Sequence, residues 1–405
     1  MTSTIYIAKT VYGGDGLGRL GDGRIVFVPG AWSGEQVKAE IVEEKRHFVK
    51  ARLVEVVEPS PDRLASTDAS VPGMVYTGLS VAGECAAKEA QLREFFERAR
   101  IPVASFATFD SAKFPSRNYR NKVVYHFEKQ KGAWAIGYRE EPSHAVVDVA
   151  DDPLACAEIN AKLPEIRRAV TALLTTGPEA VRRDTAQKGR VTIRWTKKTG
   201  VKWWIGDAPK DFVLKETTCG RDFEVPADGF YQVNPFVGEA LAESVAAAYR
   251  AGAAEAPEVL DLYCGVGVLG LCCGAPKLVG MESGRQAVQF AKRNASAQKA
   301  ADATFFDGQV GRSLKRLRTG ERTTVIVDPP RGGLEPGVAK WLAQGRAPRV
   351  LYVSCDPATL VRDLREITKA YEVESVRWFN MFPRTARFET LVALRRPPRD
   401  TMCVK

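Results

Sequence analysis

The chain has 405 residues, 45% of them hydrophobic, which is enough for a sizeable core and for two or three domains rather than one. Its formal net charge of +10 points to a polyanionic partner. Eight cysteines without regular spacing exclude a secreted disulfide framework, and no apolar run approaches the roughly 20 residues that span a bilayer.

Residues 1–58 read as short strands with glycine turns: Ile5–Ala8, the run GGDGLGRLGDG, Arg24–Pro29, Gln36–Val42 and Ala51–Val57. That pattern predicts a small OB-like β-barrel of the kind that binds oligonucleotides on one face, with Lys38, Lys45, Arg46, Lys50 and Arg52 supplying charge. The amino-terminal MTSTIYIAKT has no basic-then-apolar signal pattern, so a cytoplasmic protein is expected. Glu58–Arg63, with two prolines, reads as a linker.

A small central α+β domain is expected over 65–225, helical from Ala86 to Ala99 and then strand-rich, for example at Asn121–Phe127 and Arg190–Trp195. Asn118-Tyr119-Arg120-Asn121-Lys122 interleaves an aromatic ring with cations, a pattern that suits base stacking with phosphate contact or, more plainly, a strand entry with one half-buried tyrosine. From 226 to 405, short apolar strands alternate with helices, which predicts a parallel, doubly wound, Rossmann-like sheet.

Within that last region, Val259–Val268 is a strand running into a Gly-x-Gly turn and a helix, and a second strand ends about 20 residues later at Glu282, where a carboxylate suits ribose hydroxyls. The third glycine is displaced to Gly270, and Asp261 before the turn would repel a pyrophosphate but suits the cationic end of S-adenosylmethionine. Asp328-Pro329-Pro330-Arg331 and Ser354-Cys355-Asp356-Pro357 each follow an apolar strand, which puts Asp328 and Cys355 on one rim. Arg362 and a helix dipole could favour a thiolate at Cys355. The three histidines all lie at or before His144, so a proton acceptor in the last half must be a carboxylate or a thiolate, and a histidine metal site is not expected. Glu389, between Phe388 and the last apolar strand, reads as either a solvated edge residue or a general base.

Taken together, Phe230-Tyr231-Gln232-Val233-Asn234, Asp261–Gly265, Asp328–Arg331, Ser354–Leu360 and Phe382–Glu389 resemble the RNA uridine-5-methyltransferases of ribosomal and transfer RNA. The amino-terminal barrel looks like that family's TRAM domain. The resemblance implies Cys355 as the nucleophile that adds to carbon 6 of uracil, Glu389 as the base that removes the carbon-5 proton, and Asp328 at the uracil or cofactor. It implies Gln232, Tyr263, Gly265, Glu282, Gln309 and Asp328 as contacts to S-adenosyl-L-methionine. It further implies RNA as partner, with 23S ribosomal RNA favoured over transfer RNA because of the barrel, and neither DNA nor membrane. A monomer is the default expectation.

The chain departs from the family in three places. Cys85 lacks partner cysteines, and Asp152-Pro153-Leu154 stands where members with an iron–sulfur cluster have Cys-Pro-Leu, with Cys156 displaced, so no cluster is expected. Arg387 replaces a common histidine two residues before Glu389, and Val268 replaces a polar residue after the Gly-x-Gly turn. The competing readings are an RNA cytosine-5-methyltransferase and an RNA-binding or folding factor without catalysis. Ser354, where a cytosine enzyme has proline, and the intact Cys355, Asp328 and Glu389 weigh against them.

Overall fold

A computed structural model describes residues 2–65, 69–108, 110, 113–140, 143–177, 188–209 and 211–398. The first five strands, β1 (Thr2–Thr10), β2 (Gly16–Arg19), β3 (Ile25–Val28), β4 (Gln36–Glu44) and β5 (Phe48–Glu58), close a barrel in the order β1-β2-β3-β5-β4. Alternate residues Ile5, Ile7, Val26, Val28, Val37, Ala39, Val49 and Ala51 fill its interior, as the period of two requires. Gly18 is needed for closure, because a Cβ there would stand 2.6 Å from the Tyr6 carbonyl oxygen. The barrel carries eight Lys and Arg and eight Asp and Glu, so it contributes nothing to the net charge. Lys38, Lys45, Lys50 and Arg52 pair with Glu55, Glu43, Glu43 and Glu40 across its surface.

In the centre, β7 (Lys122–Gln130), β8 (Ala133–Arg139), β9 (Val146–Asp148), β10 (Lys188–Thr196) and β11 (Gly200–Ile205) form an antiparallel sheet in the order β11-β10-β7-β8-β9. One face packs Val123, Tyr125, Phe127, Val191 and Ile193 against Ile159, Leu163, Ile166 and Val170 of the helix Ala157–Thr176. Tyr119 is fully buried, its hydroxyl donating to the Pro383 carbonyl at 3.0 Å, while Arg120 is half-buried and Asn118 exposed. With its ring buried, Asn118–Lys122 is a partly exposed strand entry rather than a stacking surface for bases.

The eight-stranded sheet has the order β16-β15-β14-β17-β18-β20-β19-β6. It is built from β14 (Glu258–Leu262), β15 (Lys277–Glu282), β16 (Ala303–Asp307), β17 (Thr323–Val327) and β18 (Arg349–Ser354), all parallel, with β20 (Glu389–Arg395) antiparallel between β18 and β19 (Glu372–Phe379). The outermost strand, β6 (Phe106–Ala107), comes from the region between barrel and central sheet. So does the helix α1 (Val81–Ala99), whose Cys85, Leu92 and Phe96 enter one of the two cores flanking this sheet. The hairpin of β12 (Val213–Thr218) and β13 (Arg221–Pro226) packs Phe223 and Val225 into the other core. Residues 81–107 and 213–226 thus share the cores of the large sheet. No helix among the described residues is long and apolar enough to cross a membrane.

One buried polar cluster ties α1 to the loop before β20. Lys88 Nζ donates to Glu84 Oε1 at 2.8 Å and to Asn380 Oδ1 at 2.7 Å, and the Arg384 backbone N–H donates to Glu84 Oε1 at 3.0 Å. Both Lys88 and Glu84 have no exposed side-chain surface. Burial pushes the Lys88 ammonium down in pKa, against the pull of Glu84. Lys88→Met leaves the Glu84 carboxylate buried without its ammonium and is expected to cost about 3 kcal/mol in urea unfolding. A loss below about 1 kcal/mol would show that the pair is not a stabilising anchor.

Candidate active site

The parallel strands β14, β17 and β18 end on one edge of the sheet, and β20 starts there because it runs the opposite way. Val259, Ile326, Leu351, Val353, Leu391 and Ala393 face one core. Continuing the alternation along each strand brings Asp261, Asp328, Cys355 and Glu389 to that same face. Ser354 pairs with Thr390, so Cys355 and Glu389 are the next two residues of one ladder. Val327 pairs with Leu262 and with Tyr352, so Asp328 follows between Tyr263 and Val353. Glu389 is 5% exposed and opens β20, which removes the solvated-edge reading.

From β14 the chain winds out through β15 and β16, then returns to β17 on the other side of β14. Ligands of doubly wound sheets collect at such a switch point, outside the carboxyl ends of the strands. Here the structure has a cleft lined by Gln232, Asp261, Tyr263, Gly265, Leu269 and Asp328 among others. Its floor is the tight turn after β14, where Tyr263, Gly265 and Gly267 hold φ of 64°, 54° and 88°. The value at Tyr263 is strained for a residue with a Cβ, and such strain concentrates at binding sites. Gly270 N–H donates to Asp261 Oδ2 at 3.0 Å, while Asp261 Oδ1 is buried without a hydrogen-bond partner. An unpartnered carboxylate oxygen at the base of a cleft is a fitting seat for a cation or a hydrogen-bond donor.

Of the residues expected at the cofactor, Gln232, Tyr263, Gly265 and Asp328 line this cleft. Glu282 stands behind its wall, half-buried, and accepts from Gly265 N–H at 3.3 Å and Gly284 N–H at 2.7 Å. Gln309 is exposed at the start of the short helix Val310–Ser313 and is not part of the lining. Asn234 caps the helix Pro235–Gly252 and donates to the Met381 carbonyl at 3.1 Å, which joins the Gln232 segment to the loop ahead of Glu389.

The electrostatics follow from burial among like charges. Burial first, then the charges of Asp328 and Glu282, push the Asp261 carboxyl up to about 8. Burial and Glu282 push Asp328 up to about 7. Burial and Asp328 hold Glu389 well above the usual carboxylate range. Burial, then Glu389, Asp328 and Asp356, push the Cys355 thiol up to about 12. A thiolate stabilised by Arg362 is therefore not what the structure contains. Arg362 turns away, its Nε donating to Asp363 Oδ1 at 2.9 Å and its Nη2 to the Gly332 carbonyl at 2.9 Å.

Sequence reasoning missed Tyr12. Its loop follows β1, and its hydroxyl lies 3.4 Å from Asp356 Oδ2, beside the Cys355 loop. Nothing in the local sequence marks that loop, because the contact spans 344 positions. Cys85 and Cys156 sit in different cores. Asp152 is buried and accepts from the hydroxyls of Tyr125 at 2.8 Å and Tyr138 at 2.7 Å. Among the described residues no group of three or more His, Cys, Asp and Glu is arranged to hold a metal ion.

The raised carboxyls predict a pH effect on the free protein. The folded state holds Asp261 and Asp328 at about 8 and 7, above their ordinary 3.8. It therefore binds more protons than the unfolded chain, and stability falls as pH rises from about 4 through 8. Asp261→Asn, which keeps the shape without the charge, is expected to raise the melting temperature of the free protein at pH 8 and to flatten its fall with pH. A melting curve unchanged by the substitution at pH 8 would count against the charge argument.

Two family models match the chain: TRAM domain over residues 3–54 and tRNA (uracil-5-)-methyltransferase over residues 210–397, together more than half of its length. A protein named as an RNA methyltransferase in Thermotoga maritima is 28% identical over 97% of this chain and 99% of its own. A tRNA (uracil(54)-C(5))-methyltransferase of Schizosaccharomyces pombe is 26% identical, covering 94% of this chain and 76% of its own. Among solved structures, the tRNA (uracil-54, C5)-methyltransferase of Pyrococcus abyssi superposes with a TM-score of 0.72 at 21% identity, over 96% of this chain and 100% of that one, and shows the same fold. A TRAM domain, a tRNA (uracil-5-)-methyltransferase domain and a relative aligned over 97% of this chain and 99% of its own place this chain in the RNA (uracil-5-)-methyltransferase family.

Proposed function

We propose that the chain transfers a methyl group from S-adenosyl-L-methionine to carbon 5 of a uridine in structured RNA, with Cys355 as nucleophile and Glu389 as general base. The observation that carries this is the Ser354–Thr390 pairing, which sets a thiol and a buried carboxyl side by side on the rim that also holds Asp328. Carbon 5 of uracil is too weak a nucleophile to attack a methyl group unaided. Addition of the Cys355 sulfur to carbon 6 makes carbon 5 enolate-like, which is covalent catalysis. After methylation the carbon-5 proton passes to Glu389, the carbon–sulfur bond breaks, and Cys355 is released.

The cleft fits the cofactor by the chemistry of its donor set. S-adenosyl-L-methionine supplies an electrophilic methyl on a positively charged sulfur. The orphaned Asp261 oxygen, the Asp328 carboxyl and the strained Tyr263 turn line the space such a cation would occupy. Glu282, whose two oxygens already hold Gly265 and Gly284, fixes the turn that presents the cleft. A cation there favours the ionised forms of Asp261, Asp328 and Glu389, so the general base becomes competent when the site is filled. The target base must leave its stack to reach this rim.

The barrel does not select between RNA classes. The two relatives named for uracil 54 of transfer RNA align over 94% and 96% of this chain, spans too long to omit a barrel of more than 50 residues. Its positive and negative charges balance, so it adds no net attraction for phosphate. The substrate class this supports is a uridine in structured RNA.

The test is incubation with labelled S-adenosyl-L-methionine and total ribosomal and transfer RNA from a strain lacking 5-methyluridine, followed by nucleoside mass spectrometry. Label in 5-methyluridine is expected, absent with Cys355→Ala, and the labelled fraction identifies the RNA. Label in 5-methylcytidine, or activity that survives Cys355→Ala, would overturn the reading. Glu389→Gln is expected to slow turnover about 10²–10⁴-fold and to accumulate methylated RNA bound to Cys355. The wild-type rate should rise with pH through the neutral range, because both Cys355 and Glu389 must lose a proton before carbon 5 can be turned over.

A further inference from the structure

The loop between β1 and β2 leaves the barrel and reaches the nucleophile's own loop. Gln91 of α1 holds it there, its Nε2 donating at 3.1 Å to the carbonyls of both Thr10 and Val11. The Tyr12 ring meets Phe95 of α1 and Phe388 edge-on, with centroids 5.7 and 5.8 Å apart. Arg387 Nη1 donates to the Tyr12 hydroxyl oxygen at 2.8 Å and to Asp356 Oδ2 at 3.2 Å. Asp356 Oδ1 accepts from the N–H groups of Ala358 at 3.0 Å and Thr359 at 3.2 Å and so caps the helix Pro357–Ile367. Every oxygen of Asp356 is thus committed, and Cys355 is the residue before it.

We propose that Tyr12 and Arg387 are positioning residues, clamping Asp356 so that the barrel fixes the Cys355 loop and the Asp356 charge is neutralised beside the nucleophile. This rests on the assignment of Cys355 as nucleophile. The charged and titratable groups facing the thiol are Glu389 from β20, Asp328 from the end of β17, Asp356 from its own loop and Tyr12 from the barrel; Arg331 also acts on Tyr12. All the charged groups acting on the thiol oppose its ionisation, and a backbone hydrogen bond at Cys355 alone favours it. Arg387 is the cation bonded to one of them, and the Arg387–Asp356 pair is largely withdrawn from solvent, with 33% and 12% of the side chains exposed. Its loss leaves the Asp356 charge unscreened and makes the thiolate harder to form. The Tyr12 hydroxyl is held between the two, so the same bonds join the amino-terminal barrel to the reacting sulfur.

The experiment measures covalent complex formation with total RNA in which 5-fluorouridine replaces uridine, in the presence of S-adenosyl-L-methionine, from pH 6 to 10. Fluorine cannot leave carbon 5 as the proton does, so the protein–RNA bond persists and reports the thiolate step. Arg387→Met is expected to slow adduct formation about tenfold and by the same factor from pH 6 to 10, because burial and its acidic neighbours hold the thiol at about 12, above the whole range. Arg387→Lys should restore most of the rate, and Tyr12→Phe, which keeps both ring contacts, should show a smaller shift in the same direction. Cofactor affinity should be unchanged in all three, since none of these residues lines the cleft. An adduct rate in Arg387→Met equal to that of the wild type across the range, or a loss that Arg387→Lys does not repair, would overturn the clamp. No adduct at Cys355 in the wild type would instead overturn the nucleophile, and the clamp with it.

Discussion

The whole site depends on one strand running backwards. β14, β17 and β18 deliver their last residues to a common edge, and a parallel neighbour would deliver its first residue to the opposite edge, a strand's length away. Because β20 is antiparallel to β18, its first residue, Glu389, arrives where the others end. The ladder then sets Cys355 and Glu389 in register, and the alternation of side chains puts both on the face that holds Asp261 and Asp328. A slip of one residue in that pairing would turn Glu389 to the other core. The bulk apolar side chains of β18 and β20, buried on both faces, specify the register that the chemistry uses.

The segment before β20 has no regular structure to hold it, and its fixity comes from polar groups. Asn380 and Arg384 are tied to Glu84 and Lys88 of α1, Met381 to Asn234, and Pro383 to Tyr119 of the central sheet. Each of these bonds spans more than a hundred residues of chain. The loop carrying Phe382–Phe388 is therefore the place where the helix α1, the central sheet and the methyltransferase sheet meet. Buried polar contacts of this kind add little net stability but allow few alternative arrangements.

What was legible in the sequence was whatever lies in one local stretch. The strand-turn-helix after Leu260, the Asp-Pro-Pro and Ser-Cys-Asp-Pro turns, and the barrel's alternating strands each carry their own pattern and have the expected place. The readings that differ depended on direction or partner. Arg362 is the right distance along the chain from Cys355, but a helical turn points it at Asp363. Tyr119 looks RNA-facing until its ring is seen packed in the core under the helix Ala157–Thr176. The barrel lysines looked free because their glutamate partners sit on adjacent strands. Tyr12 and the entry of α1 into the large sheet's core are tertiary facts with no local signature.

The elevated Cys355 thiol has a meaning for the life of the protein between reactions. Peroxide and electrophilic metabolites attack the thiolate, not the thiol, and an enzyme whose nucleophile stood ionised at neutral pH would be steadily lost to sulfenic and sulfinic acids. Here partial burial first, and the acidic neighbours after it, push the thiol up and so favour the proton on sulfur. On the proposed reaction, the thiolate is needed only when substrate and cofactor are bound. The acidic crowd around the cysteine, which looks like an obstacle to catalysis, is also its protection in storage.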